Sequence, residues 1–239
     1  MISRLKNHFK ILVIGAGRGG TSLVGSLLDS HPKITLGLEE HSYDYLVGAG
    51  EEAQGLPAEK RLALFLGKCR KSAFESGGIW GNKVTTEQLD YLLSDPAQEE
   101  ERQLVLKRLL AKRKVVFVCR DGRTCVHSKM LRADLDYNTA VDHWKKSVDW
   151  LKFLQRQSSL QLYTVRFEEL LQHPQEQLEG ICQFLGLSYA PEMLKGTASN
   201  RIAKMYRQSA INTQKAIVPP EAMAYTNDLK AELEYLGYY

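Results

Sequence analysis

Short apolar runs alternate with longer amphipathic stretches along most of the chain. Runs at Lys10–Gly15, Lys33–Leu38, Gly78–Val84, Lys114–Cys119 and Leu160–Phe167 predict five strands. Most are unbroken apolar blocks, the pattern of strands buried on both faces. Helical candidates lie between them. Thr21–Asp29 ends before His31-Pro32, because a residue preceding proline avoids the helical region. Pro57–Glu75 and Ala97–Lys112 have amphipathic spacing, and Asn138–Gln157 places Val141, Trp144, Val148 and Leu151 on one face. Pro174–Leu185 opens with proline at the first helical position and closes at Gly186. Strands alternating with helices predict an α/β fold: a central parallel sheet of about five strands flanked by helices, with ligands at the carboxyl ends of the strands.

The first predicted strand runs into Gly15-Ala16-Gly17-Arg18-Gly19-Gly20-Thr21-Ser22 and then into a helix. Bare N–H groups at a helix start, with no Cβ in the way, bind phosphate or sulfate oxygens. Three loops fit. Gly15, Gly17 and Gly20 match G-x-G-x-x-G, and Glu39 and Glu40 stand where a dinucleotide site has its ribose-binding acid. That reading implies an NAD(P)-dependent oxidoreductase. Gly15 to Gly20 also has Walker A spacing with Ser22 at the hydroxyl position, but Thr21 stands where an NTPase needs lysine. In the third reading, Arg18, Thr21 and Ser22 join the backbone donors around a phosphosulfate.

Composition narrows the classes. The 239 residues, 44% hydrophobic, suffice for one sizeable core, and no Pro/Gly/Ser-rich linker divides them, so residues 1–239 are expected to form a single domain. The net charge of +4 suits an anionic cosubstrate, and no basic stripe with interleaved aromatics suggests nucleic acid. Cys69, Cys119, Cys125 and Cys182 lack zinc-ligand spacing, and no metal site is expected. Their usage fits a reducing compartment. Arg4, Lys6 and Lys10 precede an apolar run, but Arg18 interrupts it too early for a signal peptide, and no stretch is long enough to span a bilayer. A cytoplasmic location is expected. Nothing in the sequence specifies an oligomeric state.

The other predicted strand ends are polar too. Lys114–Cys119 leads to Arg120, followed by a helical segment with Ser128 and Arg132 four apart and therefore on one face. Two guanidiniums and a hydroxyl make a receptor for a second phosphate. A surface salt-bridge cluster with Asp121 or Asp134 is the alternative. Lys83 ends the strand near Trp80, either as a rim cation or as a solvated side chain. Glu39 and Glu40 follow Leu38 and equally suit a helix N-terminus.

Taken together, these blocks resemble sulfotransferases that use 3′-phosphoadenosine 5′-phosphosulfate (PAPS), within that superfamily the tyrosylprotein sulfotransferases and their bacterial relatives. Gly17-Arg18-Gly19-Gly20-Thr21-Ser22-Leu23 resembles the 5′-phosphosulfate loop. Leu28-Asp29-Ser30-His31-Pro32 with Gly37 and Glu39 resembles the approach to the catalytic glutamate, and Gly81-Asn82-Lys83 the Asn-Lys element. Cys119 to Arg123 with Val126-His127-Ser128 and Arg132 resembles the 3′-phosphate motif. Val165 to Leu170, His173-Pro174 and Phe184-Leu185-Gly186 resemble the strand-turn-helix that follows. The order of all five blocks agrees.

The resemblance implies a P-loop-like three-layer fold and an enzyme moving a sulfuryl group from PAPS to an acceptor hydroxyl, with adenosine 3′,5′-bisphosphate as product. It implies that Arg18, Gly19, Gly20, Thr21 and Ser22 hold the 5′-phosphosulfate and that Arg120, Ser128 and Arg132 hold the 3′ phosphate. Glu39 would be the general base, with Glu40 the base if the register slips by one. Lys83 and Arg18 would stabilise the transferring group and the leaving phosphate. Among Lys204, Arg207 and Lys215, Lys215 would close over the cosubstrate. The chain departs from the family at Gly19, usually serine; at Phe167, where tyrosylprotein sulfotransferases have tyrosine; at Leu38, the first acid of a Glu-Glu pair; and in lacking a counterpart of their Golgi anchor. The acceptor is expected to be a small molecule or a peptide, with Ser42–Ser76, carrying Tyr43, Tyr45, Leu56 and Phe65, as its wall. A non-catalytic nucleotide-binding module would keep both phosphate sites without needing Glu39 and Lys83.

Overall fold

The structure is a computed structural model that describes residues 8–93, 99–200, 204 and 211–238. Arg4, Lys6, Ala97 and Arg207 lie outside the described residues. All five predicted strands form: β1 (Phe9–Gly15), β2 (Ile34–Leu38), β3 (Ile79–Lys83), β4 (Lys114–Cys119) and β5 (Gln161–Arg166). They make one parallel sheet in the order β2-β3-β1-β4-β5. β5 is shorter than expected because Phe167 opens a helix instead of ending the strand.

Helices cover both faces of the sheet. Ile11 and Val13 of β1 pack with α1 (Thr21–Asp29) and with α7 and α8 (Phe167–Gln172 and Pro174–Leu185). Leu12 and Ile14 point the other way, into a core built with α2 (Ala58–Ser76), α4 (Glu99–Val105) and α6 (Tyr137–Gln155). Alternate residues of one strand thus enter two cores, which is why the strands read as unbroken apolar blocks. Each buried Val, Ile or Leu contributes about 1.5–3 kcal/mol. The helix expected over Ala97–Lys112 is α-helical only to Val105 and continues as a wider π turn over Leu106–Leu110. The remaining helices are α3 (Thr86–Asp90), α5 (Gly122–Ala133) and α9 (Lys230–Leu236).

The strand order places the site. β1 lies between β3 and β4, so successive connections leave it in opposite directions and open a crevice at its carboxyl end. β3 is inserted between β1 and β2, with Val13 and Leu38 both in register with Lys83. The residue after β2 therefore meets the end of β3 before it can reach the glycine loop.

Candidate active site

A cavity of about 480 Å³ opens at the carboxyl edge of the sheet. Every strand end contributes to it: Gly17 after β1, Glu39 after β2, Lys83 of β3, Arg120 after β4 and Phe167 after β5. Arg18, Gly20, Thr21, Ser22, Ser128, Arg132 and Lys215 line it as well. Gly19 does not. Its N–H closes the loop on the Ala16 carbonyl at 2.8 Å, so the expected role of Gly19 as an anion donor is corrected to a turn-forming one.

The loop is shaped by close contacts. The Gly17 N–H donates to both carboxylate oxygens of Glu87, at 3.0 and 2.9 Å. Glu87 in turn pairs with Lys129 of α5, and both are buried. Burial pushes the Glu87 carboxyl up, but the Lys129 charge and the hydrogen bonds prevail and hold it below its ordinary value. Gly20 adopts φ +96°, and a Cβ there would lie 2.1 Å from Cδ2 of Phe167. The Leu23 and Val24 N–H groups reach back to the Gly20 carbonyl, which starts α1. The Thr21 and Ser22 N–H groups at the cavity then have no acceptor within the helix.

Beside the loop, Lys83 forms an ion pair with Glu39 Oε1. The lysine side chain is 3% exposed and the glutamate 42%, so a buried cation meets a carboxylate open to the cavity. The second carboxylate oxygen of Glu39 accepts from Gln88 Nε2 at 2.9 Å. Glu40 turns elsewhere: its carboxylate accepts from Ser72 of α2 and lies 3.3 Å from His41, outside the cavity.

Arg120 spreads its guanidinium over the Phe167 ring at 4.7 Å. It donates to Thr124 Oγ1 at 2.9 Å, to the Arg18 carbonyl at 2.8 Å and to the Lys215 carbonyl at 3.2 Å. The Arg18 Nε lies 3.4 Å from Ser128 Oγ. Burial lowers the pKa of Arg120. Burial also lowers that of Lys215, helped by Arg132, Arg120 and Arg18. No described carboxylate pairs with any of these four cations. The Asp121 half of the salt-bridge alternative for Arg120 is not what forms, because Asp121 pairs with Arg123 at 2.6 Å while capping α5. Four cations facing each other around one cavity need an anion to balance them.

The floor beneath Arg120 is tied to the far end of the sequence. Glu168 accepts from the Asp121 N–H at 3.1 Å and from the Tyr238 hydroxyl at 2.7 Å. Arg166 holds the carbonyls of Leu236 and Gly237, and Arg123 that of Tyr238.

The Sulfotransferase family model matches residues 82–191, from the strand end bearing Lys83 through α8. Protein-tyrosine sulfotransferase 2 of Gallus gallus is 26% identical over 199 residues, covering 77% of this chain and 53% of the relative. Protein-tyrosine sulfotransferase A of Caenorhabditis elegans is 21% identical over 269 residues, covering 95% and 67%. The sulfotransferase domain from the curacin biosynthetic pathway superposes with TM-score 0.59 at 15% identity, covering 93% of this chain and 97% of that one. A sulfotransferase from Alicyclobacillus acidocaldarius does so with TM-score 0.54 at 17% identity, covering 95% of each. The family model and the curated relatives support a sulfotransferase superfamily assignment, and the solved structures share the fold. It spans about half the length of the Gallus gallus relative.

The comparisons correct one expectation from the sequence. The cytoplasmic location is overturned, because the chain's curated relatives are protein-tyrosine sulfotransferases, which are Golgi membrane enzymes. Among the described residues, no helix is long and apolar enough to cross a membrane. Within the acceptor wall expected over Ser42–Ser76, Tyr45 and Phe65 are buried in the core and Tyr45 donates to Glu52, whereas Tyr43 is exposed and Leu56 lines a separate surface hollow with Lys60 and Leu64. Lys204 is exposed and does not line the cavity.

Glu87, Gln88 and Lys129 escaped the sequence reading as parts of the site. One signal was present. Thr85-Thr86-Glu87-Gln88, one residue beyond Lys83, reads as a capping box, and it forms, with the Gln88 N–H on Thr85 Oγ1 and the Thr85 N–H on Gln88 Oε1.

Proposed function

We propose that this protein transfers the sulfuryl group of PAPS to an acceptor hydroxyl. The observation that carries the reading is the charge layout of the cavity. Arg18, Arg120, Arg132 and Lys215 line one cavity with Ser128, the α1 N-terminus, Glu39 and Lys83, and the Arg18 side chain reaches from the glycine loop to Ser128. Four cations beside a helix N-terminus suit a ligand that carries more than one anionic group. Thr21, Ser22, Arg18 and Gly20 would take the 5′-phosphosulfate, and Arg120, Ser128, Arg132 and Lys215 the 3′ phosphate.

In this mechanism the acceptor oxygen attacks sulfur as the bond from sulfur to the bridging phosphate oxygen breaks. The electron pair of that bond stays on the leaving adenosine 3′,5′-bisphosphate. Lys83, Arg18 and the loop N–H groups would meet this charge as it develops, and of these the loop N–H groups are fixed donors that need no reorganisation. The acceptor proton passes to Glu39. A glutamate near 4.3 and a phenol near 10 differ by about six pKa units, so full deprotonation before attack would cost about 8 kcal/mol. The proton therefore moves late, as the oxygen bonds to sulfur and acidifies. The names of the curated relatives favour a protein or peptide tyrosine as acceptor.

The dinucleotide reading of the loop loses its support in the strand order. A Rossmann sheet places β2 next to β1, so that the acid after β2 reaches the ribose. Here β3 intervenes and Glu39 is engaged by Lys83 instead. The test is thermal unfolding with adenosine 3′,5′-bisphosphate, NAD, or ATP with magnesium. The bisphosphate at about a hundred times its dissociation constant should stabilise by about 2.7 kcal/mol. A shift with NAD and none with the bisphosphate would overturn the proposal. A screen of tyrosine peptides, phenols and sugars with radiolabelled PAPS then identifies the acceptor.

A further inference from the structure

We propose that Gln88 is a positioning residue that holds the Glu39 carboxylate and leaves Oε1 as the oxygen that takes the acceptor proton. The inference rests on the sulfuryl-transfer reading for its meaning but on geometry for its content. Gln88 opens no cavity and touches no part of the donor site directly. It is buried in α3 as the third helical residue of the capping box, and its side-chain orientation is fixed from behind. The Thr85 N–H donates to Gln88 Oε1 at 3.0 Å, so the amide cannot flip without losing that bond. Its NH₂ must then face outward, and it meets Glu39 Oε2 at 2.9 Å.

Both Glu39 oxygens are thus engaged before any ligand arrives, Oε1 by Lys83 and Oε2 by Gln88. The two partners differ. Lys83 is a cation beside a cavity that calls for an anion, and it turns to the leaving phosphate when the donor binds. Gln88 is neutral and anchored, and it stays. The carboxylate is left held at one oxygen and open at the other. Glu39 itself sits at φ +59°, a conformation disfavoured for a residue with a side chain, so its neighbours hold it against local strain. The preceding residue of α3, Glu87, is committed to the Gly17 N–H and Lys129. One turn of α3 therefore sets both the donor loop and the base.

The charged groups around Glu39 are Lys83 on β3, Arg18 in the glycine loop, the Glu87–Lys129 pair of α3 and α5, Asp90 in α3, and Glu40 with His41 in the following turn. Gln88→Glu keeps an acceptor for the Thr85 N–H, since glutamate serves the same place in a capping box, but it replaces the donor with a like charge. A like charge disfavours ionisation of Glu39, so its titration midpoint should rise by about one pH unit. Gln88→Met removes the donor without adding charge and should raise the midpoint by less. Thr85→Ala weakens the helix start and should lower thermal stability while leaving the midpoint in place.

The experiment is a carboxyl ¹³C NMR titration of Glu39 in the four proteins without ligand, alongside the pH dependence of kcat/KM and the affinity for adenosine 3′,5′-bisphosphate. The inference expects the acid limb of the rate profile to follow the NMR midpoint, with bisphosphate affinity unchanged in Gln88→Glu and Gln88→Met. An unmoved Glu39 midpoint in both Gln88 variants, or an equal shift in Thr85→Ala, would overturn it. The titration reads Glu39 without donor or acceptor. A failure of sulfuryl transfer itself would appear separately, as a wild-type protein that the bisphosphate does not stabilise.

Discussion

Gly20→Ala is the sharpest single perturbation of the donor loop. The residue sits at φ +96°, where an L side chain costs about 1–2 kcal/mol. The new methyl would also lie 2.1 Å from Cδ2 and 2.5 Å from Cε2 of Phe167, so the ring must retreat by more than an ångström to reach the 3.4 Å of ordinary contact. Phe167 is 3% exposed and packed in the α1–α7–α8 core, and overpacking such a site costs about 1–3 kcal/mol. The combined loss of about 2–5 kcal/mol lowers Tm by about 4–20 °C in a chain of this size. The damage reaches further than the loop. Arg120 rests on the Phe167 ring, so displacing the ring disturbs the proposed 3′-phosphate site as well. Calorimetric titration should therefore show weaker binding of adenosine 3′-phosphate as well as of the 5′-phosphate. In a double-mutant cycle with Phe167→Ala, the double variant should be less destabilised than the two single effects added together, by about 0.5–3 kcal/mol. A Gly20→Ala protein with wild-type Tm and unchanged affinity for both monophosphates would refute the reasoning.

Further outcomes follow from the same geometry. Glu39→Gln should keep bisphosphate binding and lose turnover by about 10²–10⁴-fold, whereas Glu40→Gln should leave kcat near wild type; the reverse pattern in steady-state kinetics would move the base by one residue. Arg132→Gln should weaken adenosine 3′,5′-bisphosphate by about 1.5–3 kcal/mol and leave adenosine 5′-phosphate alone; equal losses for both ligands would separate Arg132 from the 3′ phosphate. Asp90 is raised to about 6, chiefly by burial, while accepting from the Trp150 indole. A raised carboxyl favours the fold below its unfolded value of 3.8, and that contribution is lost as pH rises through about 6. Asp90→Asn keeps the acceptor and removes the charge, so it should raise Tm at pH 8 and do nothing at pH 4; chemical denaturation at the two pH values checks the sign.

The parts of the site that were legible in the sequence are those that local chemistry determines. An unbroken apolar run before glycines specifies a buried strand and a tight turn, and Ser128 and Arg132 share a face because a helix has a fixed pitch. The parts that were not legible depend on which strand lies beside which. Glu39 reads equally well as a ribose ligand, a helix cap or a base until β3 is seen to separate β2 from β1. Phe167 reads as the end of a strand, because nothing local shows that Gly20 will press against its ring. Glu87 and Lys129 look like ordinary surface charges of two helices until the fold brings them together beneath Gly17. Tyr45 and Phe65 satisfy the pattern of a partly apolar cleft equally well when they are core residues, which is where the fold puts them.

The tie between Glu168, Arg166, Arg123 and residues 236–238 has a consequence in time. The strand ends that floor the donor site are complete once residue 168 has been synthesised, but the hydroxyl and carbonyls that satisfy their charges come seventy residues later. Until Tyr238 joins them, the Glu168 carboxylate beneath Arg120 keeps the Asp121 N–H but lacks the Tyr238 hydroxyl, so the floor of the cavity is finished later than the strands that build it.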